Sequence, residues 1–131
     1  MRTKSQKRAK REREAKPVRE ALRAEVSRCE ICGKTGGRRD VHEISRGAHR
    51  QAALDKRFAL LLVCRSCHND LGSAESWPES RQLAILATRR EIDFDLPAYL
   101  ELTRPGAPRR IEMADIMKWI PHQEVASEYA D

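Results

Sequence analysis

The chain contains no apolar run approaching the eighteen residues that a membrane-crossing helix needs. No apolar segment follows its positively charged N-terminus, so no secretory signal is expected. The expected location is cytoplasmic or nucleoid-associated. Aromatic residues make up only 5% of the chain, and the 40% hydrophobic share predicts a core that is sufficient but thin. No internal repeat is visible. At 131 residues the chain is expected to hold one ordinary domain, or a small domain plus tails. In a reducing compartment its four cysteines are poor disulfide candidates and good metal candidates.

The excess of positive charge is confined to one end. Residues 1–28 carry 11 Lys/Arg against 4 Glu, a net +7, whereas residues 29–131 carry 15 against 16, a net −1. The run from Arg2 to Arg11 has no apolar residue larger than Ala, so residues 1–15 are expected to form a disordered basic arm. Such an arm suits phosphate backbones, bound through counterion release without regard to sequence.

Residues 16–131 are expected to be a single domain, with an informative block at 29–71 and a helical part at 72–131. Glu12 to Arg28 favours helix, interrupted at Pro17, with Val18, Leu22 and Val26 at helical spacing. Ser76-Trp77-Pro78-Glu79 reads as a helix start with Ser76 as N-cap, and Leu83, Ile85, Leu86 and Ile92 supply that helix's apolar side. Asp95-Leu96-Pro97 starts a short helix through Leu100 or Leu102. Arg104 to Pro108 is a loop. Ile111, Met113, Ile116, Met117 and Ile120 outline a last amphipathic helix, ended by Pro121. Trp77 and Trp119 are expected to cap the core.

Cys29-x2-Cys32, a gap of 31 residues and Cys64-x2-Cys67 form two knuckles, each able to point two sulfurs at one ion. This spacing predicts a structural zinc site, with Gly33 in the turn after the first knuckle. Zinc would contribute to folding, since binding and folding are coupled when the core is thin. Between the knuckles, Arg39 to Ile44 alternates as a strand, Phe58 to Val63 reads as a second strand, and Arg65 to Leu71 as a short helix. If the hairpin packs on that helix, His42 and His68 converge on a second metal.

Cys29-Glu30-Ile31-Cys32-Gly33, Val41-His42-Glu43-Ile44 and Leu62-Val63-Cys64-Arg65-Ser66-Cys67-His68-Asn69-Asp70 resemble the HNH, or ββα-metal, nuclease family in its zinc-stapled form. The run from His42 to Gly47, with Arg50 and Ala53, resembles HNH-like proteins of phages and prophages. The resemblance implies an α+β fold: a small ββα-metal core with a four-cysteine zinc site, flanked by helices. It also implies a catalytic divalent ion such as Mg²⁺, Mn²⁺ or Ni²⁺, which polarises a phosphate oxygen while a general base activates water. Carried onto this chain, His42 takes a metal-ligand place, Glu43 the base place, and His68 the place of the closing metal ligand. Glu43 stands where the family commonly has histidine. The segment from Arg57 to Val63 lacks the family's bracing Asn, for which Asp55 is a substitute from the loop, and His49 is an alternative base. Arg46, Arg50, Lys56 and Arg57 lie between the strands, where the resembled fold passes its substrate. Arg89, Arg90, Arg109 and Arg110 would widen the patch.

The expectation is therefore a phage-related, metal-dependent DNA endonuclease that nicks or cleaves phosphodiesters. It would act in the cytoplasm of a bacterial host cell, with phage packaging or replication proteins as further partners. The alternative is a non-catalytic, zinc-stabilised nucleic-acid-binding protein on a degenerate HNH scaffold. A third reading is an adaptor whose basic arm docks a partner nuclease or terminase.

Overall fold

A computed structural model describes residues 4–46, 51–105 and 111–120, the side chains of Lys4 and Ser5 excepted. His49, Arg50, Arg109, Arg110 and Pro121 lie outside the described residues. The fold is α+β: among the described residues, five helices surround one two-stranded antiparallel sheet. In chain order these are α1 (Lys4–Glu25), β1 (Arg39–Glu43), β2 (Leu60–Cys64), α2 (Arg65–Asp70), α3 (Glu79–Arg89), α4 (Leu96–Thr103) and α5 (Met113–Met117). Single 3-10 turns at Arg57–Ala59 and Glu91–Asp93 introduce β2 and follow α3. No helix among the described residues is long and apolar enough to cross a membrane.

The sheet organises the rest. All five residues of β2 are buried, so both of its faces are covered. The register pairs Asp40 with Val63, Val41 with Leu62, His42 with Leu61 and Glu43 with Leu60. Because successive side chains alternate, this register fixes two environments. On the outer face, Val41, Leu60 and Leu62 pack with Leu22 and Val26. On the inner face, Leu61, Val63 and Ile44 join Leu71, Leu83, Leu86, Tyr99, Leu100 and Ile116 in the main core. Trp77 and Trp119 are half-buried against that core, in their expected places.

The disordered arm expected over residues 1–15 is corrected: from Lys4 these residues are helical and continuous with the segment after Glu12. Ala15 and Leu22, seven residues apart, are both buried. Burying a leucine contributes about 2 kcal/mol, enough to nucleate the helix against the sheet. Extension towards the N-terminus then needs only propagation, which is cheap once a nucleus exists. Exposed i,i+4 pairs Arg8–Glu12, Lys10–Glu14 and Lys16–Glu20 assist it. Pro17 lies inside α1 rather than interrupting it; it lacks the N–H that would bond the Arg13 carbonyl.

Two further expectations are corrected. α3 starts after Pro78 without a side-chain cap, so Ser76 is not its N-cap. The side-chain cap belongs to α4, where Asp95 accepts from the Ala98 N–H at 3.0 Å. Ile92, expected on the apolar side of α3, sits in the 3-10 turn and is 94% exposed. α3 ends at Arg89, so the helical period that would turn Ile92 inward is broken.

Candidate metal centre and histidine cleft

The first knuckle is built by backbone bonds. The Gly33 N–H donates to the Cys29 carbonyl at 2.9 Å, and the Cys29 N–H donates to the Lys34 carbonyl at 3.0 Å. Gly33 has φ +79°, the left-handed conformation that a residue with a Cβ adopts only at a cost. The second knuckle spans the step from the end of β2 into α2. Together they bring Cys29, Cys32, Cys64 and Cys67 into one cluster whose sulfurs all lie within 4.8 Å of one another. Cys32 Sγ and Cys64 Sγ are 3.8 Å apart, far beyond a disulfide bond. A tetrahedron with Zn–S bonds of ~2.3 Å has S–S edges of ~3.8 Å. The donor set and spacing thus form a metal-binding site consistent with structural zinc. Burial pushes the Cys32 and Cys67 thiols up. Burial also opposes ionisation of Cys64, but hydrogen bonds from the Cys67 backbone and the neighbouring thiols overrule it and lower that group. Without a cation the four cannot share negative charge evenly.

Glu30, inside the first knuckle, is 1% exposed. Its N–H donates to the Leu62 carbonyl and its Oε1 accepts from the Leu62 N–H, both at 2.8 Å. Its Oε2 accepts from Arg90 Nε at 2.8 Å, and its carbonyl accepts from Arg89 Nε at 3.2 Å. Arg90 also donates to the Leu60 carbonyl and, at 2.7 Å, to Asp93. Arg57 binds Asp93 and Glu25, hydrogen bonds that raise it further above the usual arginine range. Arg57 and Arg90, expected on a phosphate-binding patch, are members of one ion-pair network, and Arg89 braces the knuckle.

The histidines lie on the inner face. His42, on β1, and His68, on α2, meet edge to face with ring centroids 5.3 Å apart. Each ring has one nitrogen held by a side-chain oxygen. His68 Nδ1 lies 3.0 Å from Asp40 Oδ2, and His42 Nε2 lies 2.8 Å from Oε1 of the fully buried Gln82. Asp40 is also ion-paired with Arg65 at 3.3 Å. Burial, followed by the nearby His68 and Arg46 charges, lowers His42 below the usual histidine value despite the opposing pull of Gln82 and Glu43. A cleft of about 270 Å³ is lined by both histidines with Glu43, Ser45, Arg46, Leu71 and Gly72. Among the described residues the buried Ser45 hydroxyl has no hydrogen-bond partner.

The other expected site residues divide. Arg46 lines the cleft and donates to the Leu71 carbonyl at 2.8 Å. Glu43 borders it too, but it pairs with Leu60 on the outer face, and its carboxylate is 3.9 Å from Arg19 of α1. Lys56 lies beside Asp55 at 3.5 Å, away from the cleft lining. Asp40 was legible in principle, two residues before His42 on an alternating strand. Gln82 carried no signal: a lone amide on an amphipathic helix reads as surface. No family model, curated protein or solved structure matches the chain.

Proposed function

We propose that the chain is a small, phage-related, metal-dependent endonuclease of the HNH type that hydrolyses DNA phosphodiesters. The observation that carries this reading is the pair of imidazoles, each fixed by a side-chain oxygen, over a cleft that also holds a buried hydroxyl with no partner among the described residues. Histidines that ligate metals ordinarily have their second ring nitrogen held in this way. Where His42 Nε2 and His68 Nδ1 donate to their oxygens, His42 Nδ1 and His68 Nε2 keep lone pairs for a divalent ion such as Mg²⁺, Mn²⁺ or Ni²⁺. Such an ion, when bound, supplies Lewis-acid polarisation of a phosphodiester oxygen. Arg46 holds positive charge at the cleft, where a phosphate would enter. Ser45 offers a hydroxyl to a phosphate oxygen or a water. Glu43, at the cleft edge, is the carboxylate available to take a proton from water. The exposed cations of α1 would hold DNA without sequence preference.

One observation favours a second reading, a zinc-stabilised nucleic-acid-binding protein without catalysis. Glu43 is engaged with Arg19 on the opposite face of the strand from His42. Plasmid nicking by zinc-loaded protein with Mg²⁺, Mn²⁺, Ni²⁺ or none separates the two. Divalent-dependent nicking that disappears in His68→Ala supports the nuclease. Salt-sensitive DNA retention without cleavage under any ion supports the binder.

A further inference from the structure

Gln82 lies on α3, outside the two strands and the helix that carry the histidines, yet its amide reaches His42. A primary amide has a donating end and an accepting end. Here the donating end is committed: Gln82 Nε2 donates to the Trp77 carbonyl at 2.9 Å, and a carbonyl can only accept. The Trp77 carbonyl is itself held, since the Trp77 N–H donates to the Ser73 carbonyl at 2.8 Å and Pro78 follows. The end facing His42 is therefore Oε1, which can only accept. A neutral imidazole has one N–H, so that hydrogen must sit on the nitrogen facing Gln82.

We propose that Gln82 is a positioning residue that fixes His42 as its Nε2–H tautomer, so that Nδ1 is the lone-pair nitrogen presented to the cleft. This rests on the nuclease reading only in assigning Nδ1 a ligand to hold; the tautomer itself follows from the Trp77–Gln82–His42 chain. The device differs from the one at His68, where a carboxylate holds the ring. A carboxylate favours the charged imidazolium as well as orienting it, whereas a neutral amide oxygen selects a tautomer without placing a full negative charge beside it. The C-terminal helices, which carry no motif, thereby enter the site through one side chain.

The test uses the full, zinc-loaded chain labelled with ¹⁵N-histidine, in long-range ¹⁵N–¹H correlation spectra at pH 8. The wild type should show His42 as a single Nε2-protonated tautomer. Gln82→Met keeps the volume and removes the acceptor. It should give a mixture of the two tautomers at unchanged zinc content, with Mn²⁺ or Ni²⁺ binding weakened about 10-fold. A wild-type His42 protonated at Nδ1 overturns the proposal even if Gln82→Met fails to fold. So does a Gln82→Met spectrum that keeps the single wild-type tautomer. Nicking is scored separately on the same samples. A wild type that shows the tautomer but neither nicks nor binds the ion removes the nuclease reading alone; nicking with an unmoved tautomer removes this proposal alone.

Discussion

The Cys29–Cys32 turn is anchored on one side by thiols and on the other by guanidinium–carboxylate pairs, and the two anchorages depend on different things. The thiol cluster joins the turn to the end of β2 and the start of α2, and its donor set is one that a cation such as zinc would hold together. The Glu30–Arg90–Asp93–Arg57 network joins the same turn to β2, to the end of α3 and to the 3-10 turn after it, and its charges already balance in part. With zinc in the thiol cluster, one anchorage would be supplied by the environment and could be withdrawn; the other is written wholly in the chain. A thin core can be closed by either chemistry, but only the first makes folding conditional on metal supply.

Breaking the metal anchorage should have the largest effect. Cys64→Ser, or stripping zinc with a strong chelator, should remove on the order of 10 kcal/mol and abolish cooperative thermal unfolding, followed by circular dichroism and zinc content. Arg90→Leu comes next. It leaves Glu30 buried without its cation and Asp93 with Arg57 alone, and should cost about 3–5 kcal/mol in urea titrations. If it also released zinc at neutral pH, the two anchorages would be one cooperative unit rather than two.

Leu22→Ala should cost about 3 kcal/mol by opening a cavity between α1 and the outer face of the sheet. It should leave zinc content and the His42 environment unchanged, since both lie on the other face. Asp93→Asn should cost about 2 kcal/mol at pH 7, and here the pH dependence has a definite sign. Burial alone would raise Asp93, but hydrogen bonds from Arg57 and Arg90 overrule it, so its folded value lies below the usual 3.8. The unfolded chain therefore binds the proton first as pH falls. The Asp93 contribution is full above pH 3.8 and is lost as pH drops through the lower folded value. The gap between wild type and Asp93→Asn should narrow over that window. Glu12→Gln, which removes one exposed pair on α1, should change stability by only about 0.3 kcal/mol.

The difference in legibility between the two anchorages has a physical cause. Two pairs of thiols, each pair three residues apart, have few uses besides gripping one ion, so their spacing alone predicts the cluster. The strands were equally readable, from alternation around His42 and the apolar run before Cys64. Arginines and glutamates have many uses, nearly all of them solvated, so Arg57 and Arg90 looked like a phosphate-binding patch. Nothing local distinguishes a surface arginine from Arg90, which is buried against partners 30 and 60 residues away. Glu43 shows the converse. Its neighbour in sequence is His42, but the two-residue period of a strand turns them to opposite faces, so Glu43 stands at the border of the cleft with its carboxylate towards Arg19.

Glu30 has every hydrogen-bonding group occupied: its N–H, its carbonyl and both carboxylate oxygens. In terms of tolerated variation, this leaves the position almost no freedom. Aspartate is a methylene too short, and glutamine replaces one accepting oxygen with a donor facing either Arg90 or the Leu62 N–H. A library holding all twenty residues at position 30, selected for folded protein, should collapse to one letter. The same library at the exposed Ile92 should return nearly the whole alphabet.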